Sequence, residues 1–201
     1  MLKIGITGGI GTGKTMVCRV FEVLKVPVFY ADAEAKAAMQ NDPDLIEGLK
    51  KAFGKKTYSA VGKLNRSYLA SIVFNNDEAL KQLNALVHPT VFKAFDTWVL
   101  RQEKAFYVVK EAALLFESNS YKDCNYSILI SSPPELRIPR IMNRDKITEK
   151  QVLARINKQM PEDEKAKMAD FVILNNEKDL IIPQVLRLNK QFSWEAKFAN
   201  D

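Results

Sequence analysis

The residues Gly8-Gly9-Ile10-Gly11-Thr12-Gly13-Lys14-Thr15 fit the pattern G-x-x-x-x-G-K-[ST], whose chemistry is the wrapping of a phosphate chain. Glycines open backbone angles closed to other residues, so consecutive N–H groups can turn inward without a Cβ in the way. Gly9, Gly11, Thr12 and Gly13 are the expected walls of that cradle, and a helix starting near Gly13 adds its positive dipole end. Lys14 is expected to set an ammonium between β- and γ-phosphates, and the Thr15 hydroxyl to take one position on Mg²⁺. The four fixed positions arise by chance in roughly one chain in a hundred of this length. No G-x-G-x-x-G can be laid over Gly8 to Gly13, and neither N-K-x-D nor D-x-x-G occurs in the chain. A dinucleotide fingerprint and a switch-type GTPase are thereby disfavoured, which points to ATP.

Phosphoryl transfer to a hydroxyl also needs a group that orients the acceptor or takes its proton. Asp32 stands at the end of the second predicted strand, where ligands of α/β sheets collect; the alternative is that it caps a helix starting at Ala33. Arg137, Arg140 and Arg144 recur at spacings of three and four, which aligns them along one side of a helix. Such a row suits the charge spread over a transferring phosphoryl group, or else makes a solvated basic face. His88 has no partner cysteine, serine or second histidine, so a helix-end or acceptor-binding role is expected rather than a metal site or a triad.

The elements that must hold these groups are legible in the apolar patterning. Leu2 to Thr7 reads as a buried strand running into the glycines, Lys14 to Leu24 as a helix, and Val26 to Tyr30 as a second strand. Further strands are expected at 105–109, 126–130 and 171–174, making five in a parallel sheet. From Ala33 to about Glu103 the pattern is helical. Asp42-Pro43 supplies an N-terminal cap, Phe53-Gly54 a stop, and separate helices are expected over 66–74, 77–87 and 89–102. Ser132-Pro133-Pro134-Glu135 and Thr148-Glu149-Lys150-Gln151 read as two capping boxes, so two helices should fill the gap before the last strand. A final helix from Asp179 accommodates Pro183 only in its first turn.

The 201 residues suit one domain. With 47% apolar and 27% charged residues, global disorder is excluded. No stretch approaches the ~20 apolar residues of a membrane span, and Met1-Leu2-Lys3 leads directly into a strand pattern without a signal-peptide core, so a cytoplasmic location is expected. Lys and Arg exceed Asp and Glu by 30 to 24, a net charge of +6. The surplus is spread without a basic block, favouring small polyanions over nucleic acid. Cys18 and Cys124 have no paired spacing for a disulfide framework or zinc.

Several segments together are similar to the dephospho-CoA kinase family, relatives of the nucleoside-monophosphate kinases. They are Gly5-Ile6-Thr7-Gly8-Gly9-Ile10-Gly11, Ala31-Asp32, Phe53-Gly54, Leu64-x-Arg66-x-x-Leu69 and Val73-Phe74. Leu83-Asn84 with His88-Pro89, Leu114-Leu115-Phe116-Glu117, and Ala169-Asp170-Phe171-Val172-Ile173 with Asn175 complete the set. The resemblance implies an α/β P-loop kinase three-layer sandwich with a five-stranded parallel sheet, a helical CoA-binding insertion over about 33–103 and a lid over about 133–160. It implies transfer of the ATP γ-phosphate to the ribose 3′-hydroxyl of dephospho-CoA, with a monomer or weak homo-oligomer as the working unit. Lys14 and Thr15 would then hold phosphates and Mg²⁺, and Asp32 would orient or deprotonate the hydroxyl, with the metal as its second candidate partner. Arg140 and Arg144 would close from the lid, and His88, Leu114 and Glu117 would line the acceptor side. Tyr30 replaces the first acid of the family's Asp-Ala-Asp, Met16 stands where Ser or Thr is frequent, and Ala113 where Pro is usual. Another small-molecule kinase, or a nucleotide-binding regulatory module without transfer, are the competing readings.

Overall fold

Leu2–Thr7 (β1) is a short apolar run whose last four residues are fully buried, the signature of a strand covered on both faces. In the computed structural model, which describes residues 1–74 and 76–198, it is the central strand. It pairs in parallel with Tyr107–Glu111 (β3) on one side and Tyr126–Ser131 (β4) on the other. Val28–Tyr30 (β2) and Phe171–Leu174 (β5) close the two edges, giving the order β2-β3-β1-β4-β5. The expected five-stranded parallel sheet is therefore present.

The residues group into two compact units, Met1–Tyr30 with the chain from Gln102 onward, and Ala31–Arg101. In the first, one face of the sheet presents Ile4, Ile6, Tyr107, Val109, Ile128, Ile130 and Ile173. These pack on Val17, Cys18 and Phe21 of Lys14–Val23 (α1) and on Val185, Leu188 and Phe192 of the C-terminal helix Ile181–Phe198. Phe192 is the aromatic hub: its ring lies 5.7 Å from Tyr107, 5.7 Å from Tyr126 and 5.4 Å from Phe171. The opposite face carries Gly5, where an added Cβ would come within 2.7 Å of a Leu115 methyl. That closeness seats the Leu114-Leu115-Phe116-Glu117 segment directly on the sheet.

The second unit is all helical: Ala31–Asn41 (α2), Pro43–Phe53 (α3), Arg66–Val73 (α4) and Asp77–Leu100 (α5). Asp42 caps α3 by accepting from Leu45 N, with Pro43 at the first helical position, as the sequence predicts. The core is built from Leu45, Leu49, Phe53, Leu69, Val87, Val91, Phe95 and Val99, all buried. Tyr68 Oη donates to Phe53 O at 3.1 Å, closing α3 against α4.

Three expectations are corrected. Pro89 does not separate two helices; α5 runs through it without a break. The buried stripe Val87, Val91, Phe95, Val99 holds both halves to one core, and Ala85, whose carbonyl the ring deprives of its partner, is exposed to solvent. Between β4 and β5 there are three helices rather than two: Pro134–Asp145 (α6), Glu149–Ile156 (α7) and Glu162–Met168 (α8); the C-terminal helix is then α9. Thr148 forms the expected capping box with Gln151, whereas α6 has Pro133 at its N-cap and no side-chain cap. Ser132 instead accepts from Arg140 Nη1 at 3.0 Å.

Truncating the hub as Phe192→Ala should lower unfolding free energy by about 3–5 kcal/mol, read from the urea midpoint at unchanged m-value.

Candidate active site

The phosphate loop joins β1 to α1, and its polar groups are sorted by type. Five of its carbonyls are taken up by the protein. Gly8 O accepts from Lys14 Nζ at 2.8 Å, Gly9 O from Thr12 N and Thr12 Oγ1, Ile10 O from Arg137 Nε, and Thr12 O from Asn175 Nδ2 at 2.8 Å; Gly13 O accepts from Met16 N and Val17 N. The amides differ. Ile10 N donates to Gln159 Oε1 and Thr12 N to Gly9 O, while those of Gly11, Gly13 and Thr15 meet no acceptor among the described residues. Gly13 and Thr15 stand at the start of α1, whose first amides have no intrahelical partner, so the loop presents ready donors to an anion. Gly13 is the N-cap of α1 at φ 93, and a Cβ there would strike Asn175 Nδ2 at 2.4 Å.

Lys14 lies 4.0 Å from Glu111 Oε1, both side chains largely buried. Glu111 ends β3, in register with Ile6 of β1 and Tyr30 of β2. Two neutral groups border it. Burial first, then Glu111 and Glu22, pushes the Cys18 thiol far up. Tyr30 is raised too, by burial, Cys18 and the hydrogen bond its hydroxyl donates to Glu22 Oε1 at 3.1 Å. Glu111 escapes a motif search, yet an acid closing an apolar strand beside the loop-bearing strand is a signal the sequence does carry.

The arginine row divides by environment. Arg137, only 5% exposed, turns inward to the loop and to Glu162 Oε2 at 2.8 Å; burial pulls its pKa down, with Glu162 opposing. Arg140 is half-buried, its Nη2 on Glu177 Oε1 at 2.8 Å. Arg144 is exposed and pairs with Asp145, which Arg144 and Arg155 hold below the usual carboxylate range. Glu117 Oε1 takes the ammonium of Lys165, 1% exposed, at 2.7 Å and the amide of Met160 at 3.1 Å. Leu114 beside it is 37% exposed. In the helical unit, His88 is half-buried on α5 and stacks on Phe92 at 6.0 Å. Asp32 is exposed in the first turn of α2, inside the helix rather than at its N-cap.

The family model for dephospho-CoA kinase matches residues 2–180. A dephospho-CoA kinase of Bacteroides fragilis is 37% identical over 187 residues, 93% of this chain and 91% of that protein. The chain belongs to the dephospho-CoA kinase family. A crystal structure from Thermus thermophilus superposes with a TM-score of 0.82 at 36% identity, covering 96% of this chain and 97% of that one. Dephospho-CoA kinase from Campylobacter jejuni gives 0.68 at 28%, covering 95% and 96%. Membership makes the chain an ATP-using phosphotransferase of the final step of coenzyme A biosynthesis. Among the described residues no helix is long and apolar enough to cross a membrane.

The departures from the dephospho-CoA kinase pattern now have surroundings. Tyr30 leaves no carboxylate at its own position, but Glu111 pairs with it across β2 and β3. Ala113 uses its carbonyl to accept from Thr7 Oγ1 and from Lys165 Nζ, bonds that a proline there would equally allow, since they need no N–H. Met16 is exposed on α1, and nothing in the structure explains the choice of methionine.

Both thiols are free of disulfides and raised by burial above all, Cys18 far up and Cys124 up to about 11. Each is therefore protonated well above neutrality. At pH 8 a disulfide reagent should label neither within minutes in the native protein and both once urea unfolds it, with Cys124 gaining reactivity only as pH approaches 11.

Proposed function

We propose that the loop Gly8–Thr15 holds the ATP phosphates and that Asp32 prepares the ribose 3′-hydroxyl of dephospho-CoA to receive the terminal one. The observation that carries this is the sorting of the loop's polar groups: the carbonyls of Gly8, Gly9, Ile10, Thr12 and Gly13 accept from the protein, while the amides of Gly11, Gly13 and Thr15 meet no acceptor among the described residues. Gly9, Gly11, Thr12 and Gly13 shape the cradle, and α1 directs its positive end into it. Lys14 moves from Gly8 O onto the β- and γ-phosphates when they arrive. Asp32 follows the carboxyl end of β2 by two residues, and its exposure leaves the carboxylate available to an acceptor hydroxyl.

Mg²⁺ is our assignment for the companion cation. Among the described residues no cluster of three His, Cys, Asp or Glu forms a cage, which suits an ion held by one or two protein oxygens and by substrate phosphates. Thr15 is assigned the direct oxygen, with Glu111, 4.0 Å from Lys14, and Asp32 as the candidate acids. When bound, the ion neutralises charge on the β- and γ-oxygens.

Arg140 and Arg144 are assigned to the phosphates from a lid. Arg137 and Gln159, near the two ends of the expected lid, are both anchored to Ile10, so we confine its moving part to about 138–158. Arg140 leaves Glu177 and Arg144 leaves Asp145 as they reach the nucleotide. Leu114 offers an exposed apolar surface to the acceptor and His88 a polar edge. Glu117 is assigned to the acceptor side with them: its Oε1 is engaged by Lys165 and Met160, while its Oε2 has no hydrogen-bond partner among the described residues. The free thiols fit a reducing compartment, and we place the reaction in the cytoplasm.

Purified protein with Mg·ATP should release ADP upon addition of dephospho-CoA and not of AMP, dCMP, shikimate or gluconate. Turnover on one of those acceptors alone would reject the assignment. Asp32→Ala should keep ATP affinity within about threefold while kcat falls by roughly 10²–10⁴; unchanged turnover would remove Asp32 from the mechanism. Lys14→Ala should instead weaken ATP binding itself, measured by calorimetry.

A further inference from the structure

Residues 9–12 of the phosphate loop form a turn in which Thr12 N donates back to Gly9 O at 3.3 Å and Gly11 sits at φ 81. An i to i+3 bond with positive φ at the third residue is the type II turn. It differs from type I by a flip of the central peptide, here the one joining Ile10 to Gly11. A trans peptide carries its C=O and N–H on opposite sides. The flip therefore decides which of the two the loop offers to a phosphate: an amide that attracts it or a carbonyl that repels it.

The side chain that holds this peptide is Arg137. Its Nε donates to Ile10 O at 2.9 Å, its Nη1 to Glu162 Oε2 at 2.8 Å, and its Nη2 presses so closely on Gly9 that an added Cβ would lie 2.3 Å away. Glu162 in turn accepts from Ser131 Oγ at the end of β4. The neighbouring peptide is held as well, Ile10 N donating to Gln159 Oε1 at 2.8 Å. A guanidinium this buried is committed to a loop carbonyl and a carboxylate, and a buried ion pair adds little to stability relative to an apolar replacement. Its direct effect is on the orientation of one peptide.

We propose that Arg137 is a positioning residue for nucleotide binding: by holding Ile10 O it locks the Ile10–Gly11 peptide in the flipped form, so that the Gly11 N–H is a donor to the phosphates. This rests on the phosphate-loop reading above and adds a residue to it. Arg137 touches no substrate. It acts through Gly11, whose amide meets no acceptor among the described residues and whose positive φ makes the flipped form available without strain.

The wild-type protein supplies the first test, by following ¹H–¹⁵N signals during titration with Mg·ATP. The Gly11 amide proton should move downfield together with those of Gly13, Lys14 and Thr15, while that of Ile10, committed to Gln159, moves least. If Gly13, Lys14 and Thr15 respond and Gly11 does not, the proposal on Arg137 fails and the loop reading stands; if none responds, the loop reading itself fails.

The second test is the double variant Arg137→Met with Glu162→Gln, which avoids stranding the half-buried Glu162 carboxylate. It should raise both Kd and KM for ATP about 10- to 100-fold, leave KM for dephospho-CoA within about twofold, and shift the Gly11 amide in the unliganded protein. Arg137→Lys, which keeps one charged donor for Ile10 O, should recover part of the ATP affinity. A lower melting temperature with unchanged ATP Kd and an unmoved Gly11 signal would reduce Arg137 to a structural role. Should the double variant not fold, the wild-type titration still decides.

Discussion

The constraint on which this molecule depends is that a short loop at the centre of a sheet must keep several amides without protein acceptors while remaining ordered. Amides left without acceptors add no bonds of their own to the loop, so its order must come from groups that do not cover them. The chain achieves this by capping carbonyls. Lys14, Thr12, Arg137 and Asn175 each donate to a loop oxygen. These donors come from α1, from the loop, from α6 and from the residue after β5, so the order of the cradle draws on several surrounding elements.

The parallel sheet explains why such donors converge. With β1 central, flanked by β3 and β4, every neighbouring strand ends near the loop, and the segments that leave those ends carry the supporting groups. Glu111 arrives from β3 and Asn175 from β5; Ser131 reaches Arg137 through Glu162 from β4. Apolar packing sets this convergence. The isoleucines and valines that alternate toward α1 and α9 fix the strand register, and a slip of one residue would turn each supporting group to the wrong face.

What the sequence discloses and what it withholds divide along the same physical line. Features whose cause is local were legible: the glycine-lysine-threonine loop, the five apolar strands, the Asp42 cap and the Thr148 capping box. Features decided by tertiary contact were not. Pro89 carries a strong local signal to stop, but a buried stripe on both sides of it outweighs one lost hydrogen bond. Ser132 has the composition of a cap, yet bonds the guanidinium of Arg140. The short helix Glu162–Met168 is too brief to show a periodicity, and it places Glu162 and Lys165 against partners distant in sequence. The arginine row was legible as a row, but only packing separates its buried member from the two that remain nearer to solvent.

Electrostatics around Lys14 follow from that packing. A carboxylate beside the lysine stabilises its charge, but it also competes with phosphate for the ammonium, so the balance depends on how much negative charge is nearby. Tyr30 contributes none, because burial and Glu22 keep its phenol protonated, and Cys18 contributes none for the same reason. Glu111 is thus bordered by neutral groups and approaches Lys14 at 4.0 Å, beyond a short hydrogen-bonded pair, while the 2.8 Å bond of Lys14 goes to a neutral carbonyl. A phosphate oxygen offers the ammonium a charge-assisted bond, roughly twice as strong as one to a neutral carbonyl. An aspartate in place of Tyr30 would add negative charge next to Glu111. The tyrosine, with its phenol pKa raised, adds no such charge.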